Sequence, residues 1–300
     1  MAVLLVQYTN YRKVWLGMFE FSFCIPTHHR ETLHDCLESV LFAILNADQC
    51  KAEIIISGET QINKSLYPED IKWVAPENTS SSNNRNYAAQ SSSGKYLIFI
   101  DDDVTINADY LLNLTRYLQK EEPHCLAGST LRLRNKNPID KAWLEAGFDR
   151  YLDLSSRFQF LRWAPTANLI VKREVFFSIC GFKDLPIPVG GEDVDFGCRI
   201  MEKGFGPIVS IPECAAKHLP ITHQNLGKII EKASYYGMSE QWIAQEYSQS
   251  IIGKKAPFMQ LPSLSDEANA IRKSFYDGAC SYSNDVFDVS LSQLASDTAN

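Results

Sequence analysis

Short apolar runs alternate with stretches of helical spacing from Phe19 to about Ile211. Phe19 to Ile25 reads as a strand that Pro26 ends, since proline cannot continue a sheet ladder. Leu33, Leu37, Val40, Leu41 and Ile44 then recur at helical spacing. Glu53 to Ser57 and Ile71 to Val74 predict two further strands, closed by Gly58 and Pro76. Ser80 to Ser93 predicts a helix with serines and Asn83 as capping residues. Tyr96 to Ile100 predicts a fourth strand, and Leu111 to Leu118 a helix. Cys125 to Leu133 and Ala167 to Val171 add strands, while Glu174 to Cys180, Val194 to Lys203 and Asn225 to about Gln249 add helices. This β-α-β-α rhythm predicts an α/β fold whose sheet is mostly parallel, with helices on both faces. Ligands of such sheets gather beyond the carboxyl ends of the strands, which directs attention to the residues after Ile25, Ser57 and Ile100.

The pattern also divides the chain. Residues 1–18 read as an N-terminal extension, 19–240 as the α/β domain, and 241–300 as a helical extension with a polar tail. The longest apolar runs fall well short of the roughly 18 to 20 residues a membrane span needs. The apolar patch Ala2 to Val6 lacks a preceding positive region and makes a poor signal peptide.

Composition changes the picture little. The 300 residues are 45% hydrophobic and 22% charged, which excludes a disordered chain, a collagen-like repeat or a coiled coil. The net charge of −7 offers no global basic field to nucleic acid. Eight cysteines without a C-x-x-C pair read as core thiols of a reduced, cytoplasmic protein.

Two acidic clusters carry the candidate chemistry. Asp101, Asp102 and Asp103 follow an apolar strand directly, and three adjacent carboxylates repel one another unless something compensates. A hard divalent cation such as Mg²⁺ or Mn²⁺ does so with oxygen ligands, keeping positions open for substrate phosphates. A solvated loop or helix cap is the ordinary alternative. The second cluster, Gly190-Gly191-Glu192-Asp193-Val194-Asp195, opens a helix. Acids favour helix starts in any case, but one at a ligand mouth also serves as a general base.

Taken in order, the motifs resemble the inverting family-2 glycosyltransferases of GT-A fold. Phe23-Cys24-Ile25-Pro26-Thr27 is similar to that family's opening strand and nucleotide-binding turn. Asn84 to Ala89 followed by Gly94 to Asp103 is similar to its R-N-x-A and D-x-D stretch. Ala167 to Arg173 with Gly181-Phe182 and Gly191 to Asp195 resemble the acceptor-side strand and the G-E-D-x-D motif. His218, ahead of Pro220 and the helix through Tyr235-Tyr236-Gly237, resembles the family's closing histidine.

The resemblance implies a metal-dependent, inverting transfer of a sugar from a nucleoside-diphosphate sugar, UDP-sugar favoured, to a hydroxyl acceptor. Asp193 would be the catalytic base. Pro26, Thr27, Glu59, Arg85, Asp101 and Asp102 would bind the donor nucleotide, with Arg85 meeting uracil or diphosphate. Asp103 and His218 would hold Mn²⁺ or Mg²⁺. Asn168, Gly191 and Glu192 would face acceptor or sugar, and Asp195 would hold the helix start. Glu59 stands in for an aspartate that the family usually carries after the second strand. Acceptors from lipid-linked glycans to peptides stay open, and peripheral membrane contact is compatible with Tyr235, Tyr236 and Trp242.

Two features pull elsewhere. Gln159 to Trp163 spells the Q-x-x-R-W of processive synthases, but it precedes Glu192 rather than following it, so a non-processive enzyme is expected. Ile98 to Thr105 also fits the first motif of haloacid-dehalogenase-like phosphatases, with Asp101 as nucleophile. A catalytically inactive GT-A domain binding a glycan or partner is the third reading.

Overall fold

Nine strands among the described residues join one sheet: β1 (Phe21–His28), β2 (Ala52–Glu59), β3 (Lys72–Val74), β4 (Tyr96–Ile100), β5 (Val104–Ile106), β6 (Cys125–Arg132), β7 (Phe160–Leu161), β8 (Asn168–Lys172) and β9 (Ile208–His218). The computed structural model describes residues 20–28, 31–47, 49–134, 137–220, 225–247 and 260–281. The expected N-terminal extension, His29 and the polar tail lie outside these residues.

The strand order is β3-β2-β1-β4-β8-β6-β9-β5, with β7 also paired to β9. The first four strands run parallel. Beyond them the sheet is mixed, because β8 enters antiparallel between β4 and β6 while β6 and β9 are parallel. The expected mostly parallel arrangement therefore holds for the β3-β2-β1-β4 half of the sheet.

Helices cover both faces: α1 (Leu33–Asn46), α2 (Ser81–Gln90), α3 (Tyr110–Leu118), α4 (Pro138–Glu145), α5 (Arg173–Ser178), α6 (Glu192–Glu202), α7 (Leu226–Glu246) and α8 (Asp266–Ser281). Alternation sorts each central strand between two cores. Phe23, Ile25 and Ile98 pack with α1 and α3, whereas Cys24, Leu97 and Phe99 pack with α2, α5 and α6. A third, smaller core joins α4, α7 and α8 through Trp143, Ile229, Ala233, Ile271 and Phe275.

Several expectations need adjusting. β1 continues through Pro26 to His28, because β4 pairs only as far as Cys24 and leaves that edge open. The strands β5, β7 and β9 were not expected. Pro212 interrupts the apolar signal of β9, near a register irregularity where β6 pairs with it. Helix α7 runs through residue 240 unbroken, so the expected boundary falls inside a helix. Helix α8 lies within the expected helical extension and buries Ala268, Ile271, Phe275 and Ala279 at helical spacing.

Candidate active site

The carboxyl ends of β1 and β4, the starts of α2 and α6, and the cleft-facing side of α7 enclose one cleft of about 1200 Å³. Pro26, Thr27, Arg85, all three adjacent aspartates, Gly191, Glu192, Asp193 and His218 line it. Twelve candidates were expected, and the structure brings together ten. Glu59 ends β2 on an exposed position beside His28 in register, outside the cleft lining. Asn168 is 2% exposed and turned into the sheet. Its amide accepts from Tyr110 Oη at 2.7 Å and donates to the carbonyls of Ser129 and Cys214 at 2.9 Å. A side chain spent on three interior partners holds strands together and presents nothing to an acceptor.

The Asn84-Arg85-Asn86 run of α2 stitches the cleft floor. Ser80 caps this helix by accepting from the Asn83 amide at 3.1 Å. Asn84 donates to the carbonyls of Thr27 and Thr79. Asn86 clasps the backbone of Phe182 from both sides, at 2.7 and 2.9 Å. Arg85 sits between them and is 5% exposed. Its Nη2 donates to Asp101 Oδ1 at 2.7 Å and its Nη1 to Glu192 Oε1 at 2.9 Å. Burial works against the guanidinium charge, but Asp101 and Glu192 outweigh it and hold the pKa above the ordinary arginine value. Nη1 and Nη2 thus join the two acidic motifs across the cleft, while the buried Nε has no hydrogen-bond partner among the described residues.

The three adjacent aspartates go three ways. Asp101 meets Arg85, and Asp102 accepts from Thr27 Oγ1 at 2.8 Å, tying the end of β1 to the end of β4. Asp103 faces His218, with Oδ1 3.6 Å from Nε2. Strand pairing makes that meeting, since Val104 of β5 stands opposite His218 at the end of β9. The Leu219 amide also donates to the Asp103 carbonyl at 2.7 Å. His218 Nδ1 lies 2.8 Å from the Leu219 carbonyl, which assigns the ring proton to Nδ1 and turns the Nε2 lone pair toward Asp103. Burial, then the Arg132 charge, pushes the His218 pKa down to about 4 and keeps the imidazole neutral.

A carboxylate facing a neutral imidazole suits Mn²⁺ or Mg²⁺. No group of three such side chains among the described residues converges to hold an ion. The pair therefore fits a metal whose remaining ligands come from substrate and water.

The second motif behaves differently. Gly190 and Gly191 hold φ of 85° and 91°, left-handed values that favour glycine. Space demands glycine too: a Cβ on Gly190 would lie 2.5 Å from the Tyr236 ring, and one on Gly191 2.8 Å from Ser239 Cβ. Helix α7 is thus pressed against this turn, and Ser239 Oγ lies 2.9 Å from the Gly190 carbonyl.

Asp193 accepts from the Val194 amide at 2.8 Å. Burial, reinforced by the neighbouring Glu192 charge, pushes its pKa up to about 7, with the Val194 amide and then Arg85 pulling back. A carboxylate poised there gives and takes a proton near neutrality. Asp195 is 0% exposed and is locked by Arg199, whose Nε and Nη2 donate to one oxygen at 2.8 and 2.6 Å. Tyr247 Oη donates to the other oxygen, and Arg199 Nη1 reaches the carbonyls of Ile179 and Gly181. Asp195 thus ties the first turn of α6 to Arg199 one turn further on and to the end of α7.

The aromatic segment falls partly on the cleft. Trp143, Phe148, Tyr151 and Trp163 line it, along with Tyr235 and Tyr236. Trp143 and Phe148 stack on each other at 4.3 Å and belong to the core as much as to the wall. Arg132, Lys228, Lys232 and Ser239 line the cleft and were not expected. The Lys228, Lys232, Tyr235, Ser239 spacing along one helix is the signal that marked them.

Among the described residues no disulfide joins the eight cysteines, six of which are buried. Among the described residues no helix is long and apolar enough to cross a membrane.

The Glycosyl transferase family 2 model matches residues 22–178. The succinoglycan biosynthesis protein ExoM of Rhizobium meliloti (strain 1021) is 27% identical over 209 residues, which cover 66% of this chain and 65% of that protein. The match thus spans just under two thirds of this relative's length. The crystal structure of S. aureus TarS 1-349 superposes with a TM-score of 0.54 at 13% identity, covering 88% of this chain and 73% of that one. The mannosyltransferase PcManGT of Pyrobaculum calidifontis, in complex with GDP-Man and Mn²⁺, gives 0.55 at 13% identity and covers 100% and 84%. Both share the GT-A fold. The phosphatase reading falls on these matches, and Asp101, its required nucleophile, is engaged by Arg85. By its motifs, its sheet and the match over 22–178, the chain belongs to glycosyl transferase family 2.

Proposed function

We propose that this protein is a metal-dependent, inverting, non-processive glycosyltransferase that moves a sugar from a nucleoside-diphosphate sugar to a hydroxyl acceptor. The observation that carries the reading is the pairing of two chemistries in one cleft. Asp103 and neutral His218 face each other on the sheet side, and Asp193, with its pKa near 7, opens the helix on the other. Among the structural matches, TarS is described in complex with UDP-GlcNAc and PcManGT with GDP-Man and Mn²⁺, which supports a nucleotide-sugar donor. We favour UDP-sugar, and a cytoplasmic location.

Asp103 and His218 would hold Mn²⁺ or Mg²⁺, and such an ion supplies charge neutralisation for the departing diphosphate. The chain's own groups do the rest. Thr27 orients Asp102 at the nucleotide end. Arg85 keeps the Asp101 and Glu192 carboxylates in place, so that neither turns toward the anionic donor. Asp193 accepts the proton of the acceptor hydroxyl as its oxygen bonds to the anomeric carbon and the bond from that carbon to the diphosphate oxygen breaks. One displacement with one base inverts the anomeric centre.

Thermal melting against UDP, GDP and CDP, each with and without Mn²⁺, tests this directly. A ligand bound only by the folded state at one hundred times its dissociation constant adds about 2.7 kcal/mol of stability. A rise in melting temperature with one nucleoside diphosphate that requires Mn²⁺ and is lost in Asp103→Ala is the expected result. Silence from all three overturns the donor assignment.

A further inference from the structure

The turn that leads into Asp193 ends a loop whose other end is fastened to a different helix. Residues 182–191 run up to the start of α6, and Pro186 and Pro188 stiffen them. Asp184 stands on the cleft lining and accepts from three side chains around the start of α2. Ser80 Oγ donates at 2.5 Å, Asn83 Nδ2 at 2.8 Å and Asn78 Nδ2 at 3.2 Å. Ser80 spends its proton on Asp184 and a lone pair on the Asn83 amide, so one hydroxyl serves both the loop and the cap of α2. Ser82 Oγ adds a bond to the Lys183 carbonyl at 3.0 Å, beside the Asn86 clasp on Phe182.

The two ends of the loop then meet. A Cβ on Gly191 would lie 3.1 Å from Leu185 Cδ1 and 2.8 Å from Ser239 Cβ. Leu185 follows Asp184 directly, and Gly191 precedes Glu192 and Asp193. The turn is therefore gripped from two sides, by α7 through Ser239 and by α2 through Asp184 and Leu185. Arg85, one helical turn on from Ser81 in α2, reaches Glu192 from the same helix. Asp184 is exposed and belongs to no core, so its three bonds place the loop rather than bury it.

We propose that Asp184 is a positioning residue for transfer: its carboxylate latches the loop to the start of α2 and, through Leu185 and Gly191, holds Asp193 in place. The proposal rests on the reading of Asp193 as the base, and goes beyond it by naming what fixes that base.

Carbon-13 NMR of aspartate carboxyl groups in the full chain follows the base directly, with the Asp193 signal assigned by its loss in Asp193→Asn. The wild-type signal should titrate at about 7. Asp184→Ala should loosen the turn, let water reach the Asp193 carboxyl and move its midpoint down toward the ordinary aspartate value. Transfer should fall about tenfold in kcat at an unchanged donor KM, the mark of lost placement rather than lost binding. Asn83→Ala removes one donor and keeps the backbone amide that Ser80 caps, so it should act in the same direction more weakly. The two substitutions together should do no more than Asp184→Ala alone, because they cut one connection. Asp184→Asn keeps an acceptor for Ser80 and should recover part of the loss.

A lower melting temperature in Asp184→Ala with kcat and the Asp193 titration unaltered overturns the proposal. So does a raised midpoint, an additive effect of the two substitutions, or a higher donor KM at constant kcat, which reassigns Asp184 to donor binding. If Asp184→Ala does not fold, Asn83→Ala decides by the same two readings. Failure of the base reading shows separately, as unchanged transfer in Asp193→Asn.

Discussion

The two sides of helix α6 carry the same residue type in opposite states. On the cleft side Asp193 has one backbone donor, a carboxylate neighbour and a pKa near 7. On the buried side, two residues on, Asp195 receives two bonds from Arg199 and one from Tyr247. One acid is left able to exchange a proton, and the other is committed to an ion pair. Their partners make the difference: Arg199 lies one turn along the same helix and Tyr247 closes α7, whereas the cation acting on Asp193 is Arg85, which is shared with Asp101 and Glu192. An E-D-x-D motif thus combines a reactive group with the anchor that holds it still.

The comparison breaks most sharply at Asp193. Asp193→Asn should lower transfer by about a thousandfold, the usual scale for a general base, while Mn²⁺-dependent nucleotide binding persists in the melting assay. In the wild type, transfer should rise as pH increases through about 7, where Asp193 loses its proton. Stability should move the other way. The folded state holds this proton more tightly than the unfolded chain, so its contribution is complete below the ordinary aspartate pKa and is lost as pH rises toward 7. Urea titrations from pH 4 to 8 should show this slope in the wild type and a flatter one in Asp193→Asn. Unchanged transfer in that variant removes Asp193 as the base.

Asp195→Asn should leave the pH dependence of transfer in place and cost stability instead. Breaking a buried pair strands the Arg199 charge, which costs about 3 kcal/mol in urea unfolding. Tyr247→Phe is the mildest cut. It removes one bond to Asp195 and should cost about 1 kcal/mol, with transfer falling only as far as α7 loosens from the turn. If Tyr247→Phe instead matches Asp193→Asn in transfer, the division between reactive and anchoring sides is wrong.

Legibility followed the reach of the interactions. The strands β1, β2 and β4 and the helix of Asn84 to Ala89 were readable because apolar spacing and local capping decide them. Asn168 misled, since a polar residue after Ala167 looks the same whether it faces substrate or clamps Ser129 and Cys214. Arg85 was expected in the cleft and lines it, but its pairing with Glu192 could not be read in the sequence, because Glu192 reaches it only through the fold. Strand β9 carries too few apolar residues around Pro212 to announce itself, and Asp184 gains meaning only from the side chains at the start of α2 that it meets.

The sequence by itself determined the family, the order of its motifs and the α/β alternation, because side-chain periodicity and motif spacing are properties of neighbours along the chain. Only the tertiary structure decided which aspartate faces His218, which binds Arg85, and which keeps a proton near neutrality. Those outcomes depend on burial and on charges delivered by elements distant in the chain, and Coulomb interactions and desolvation act through space.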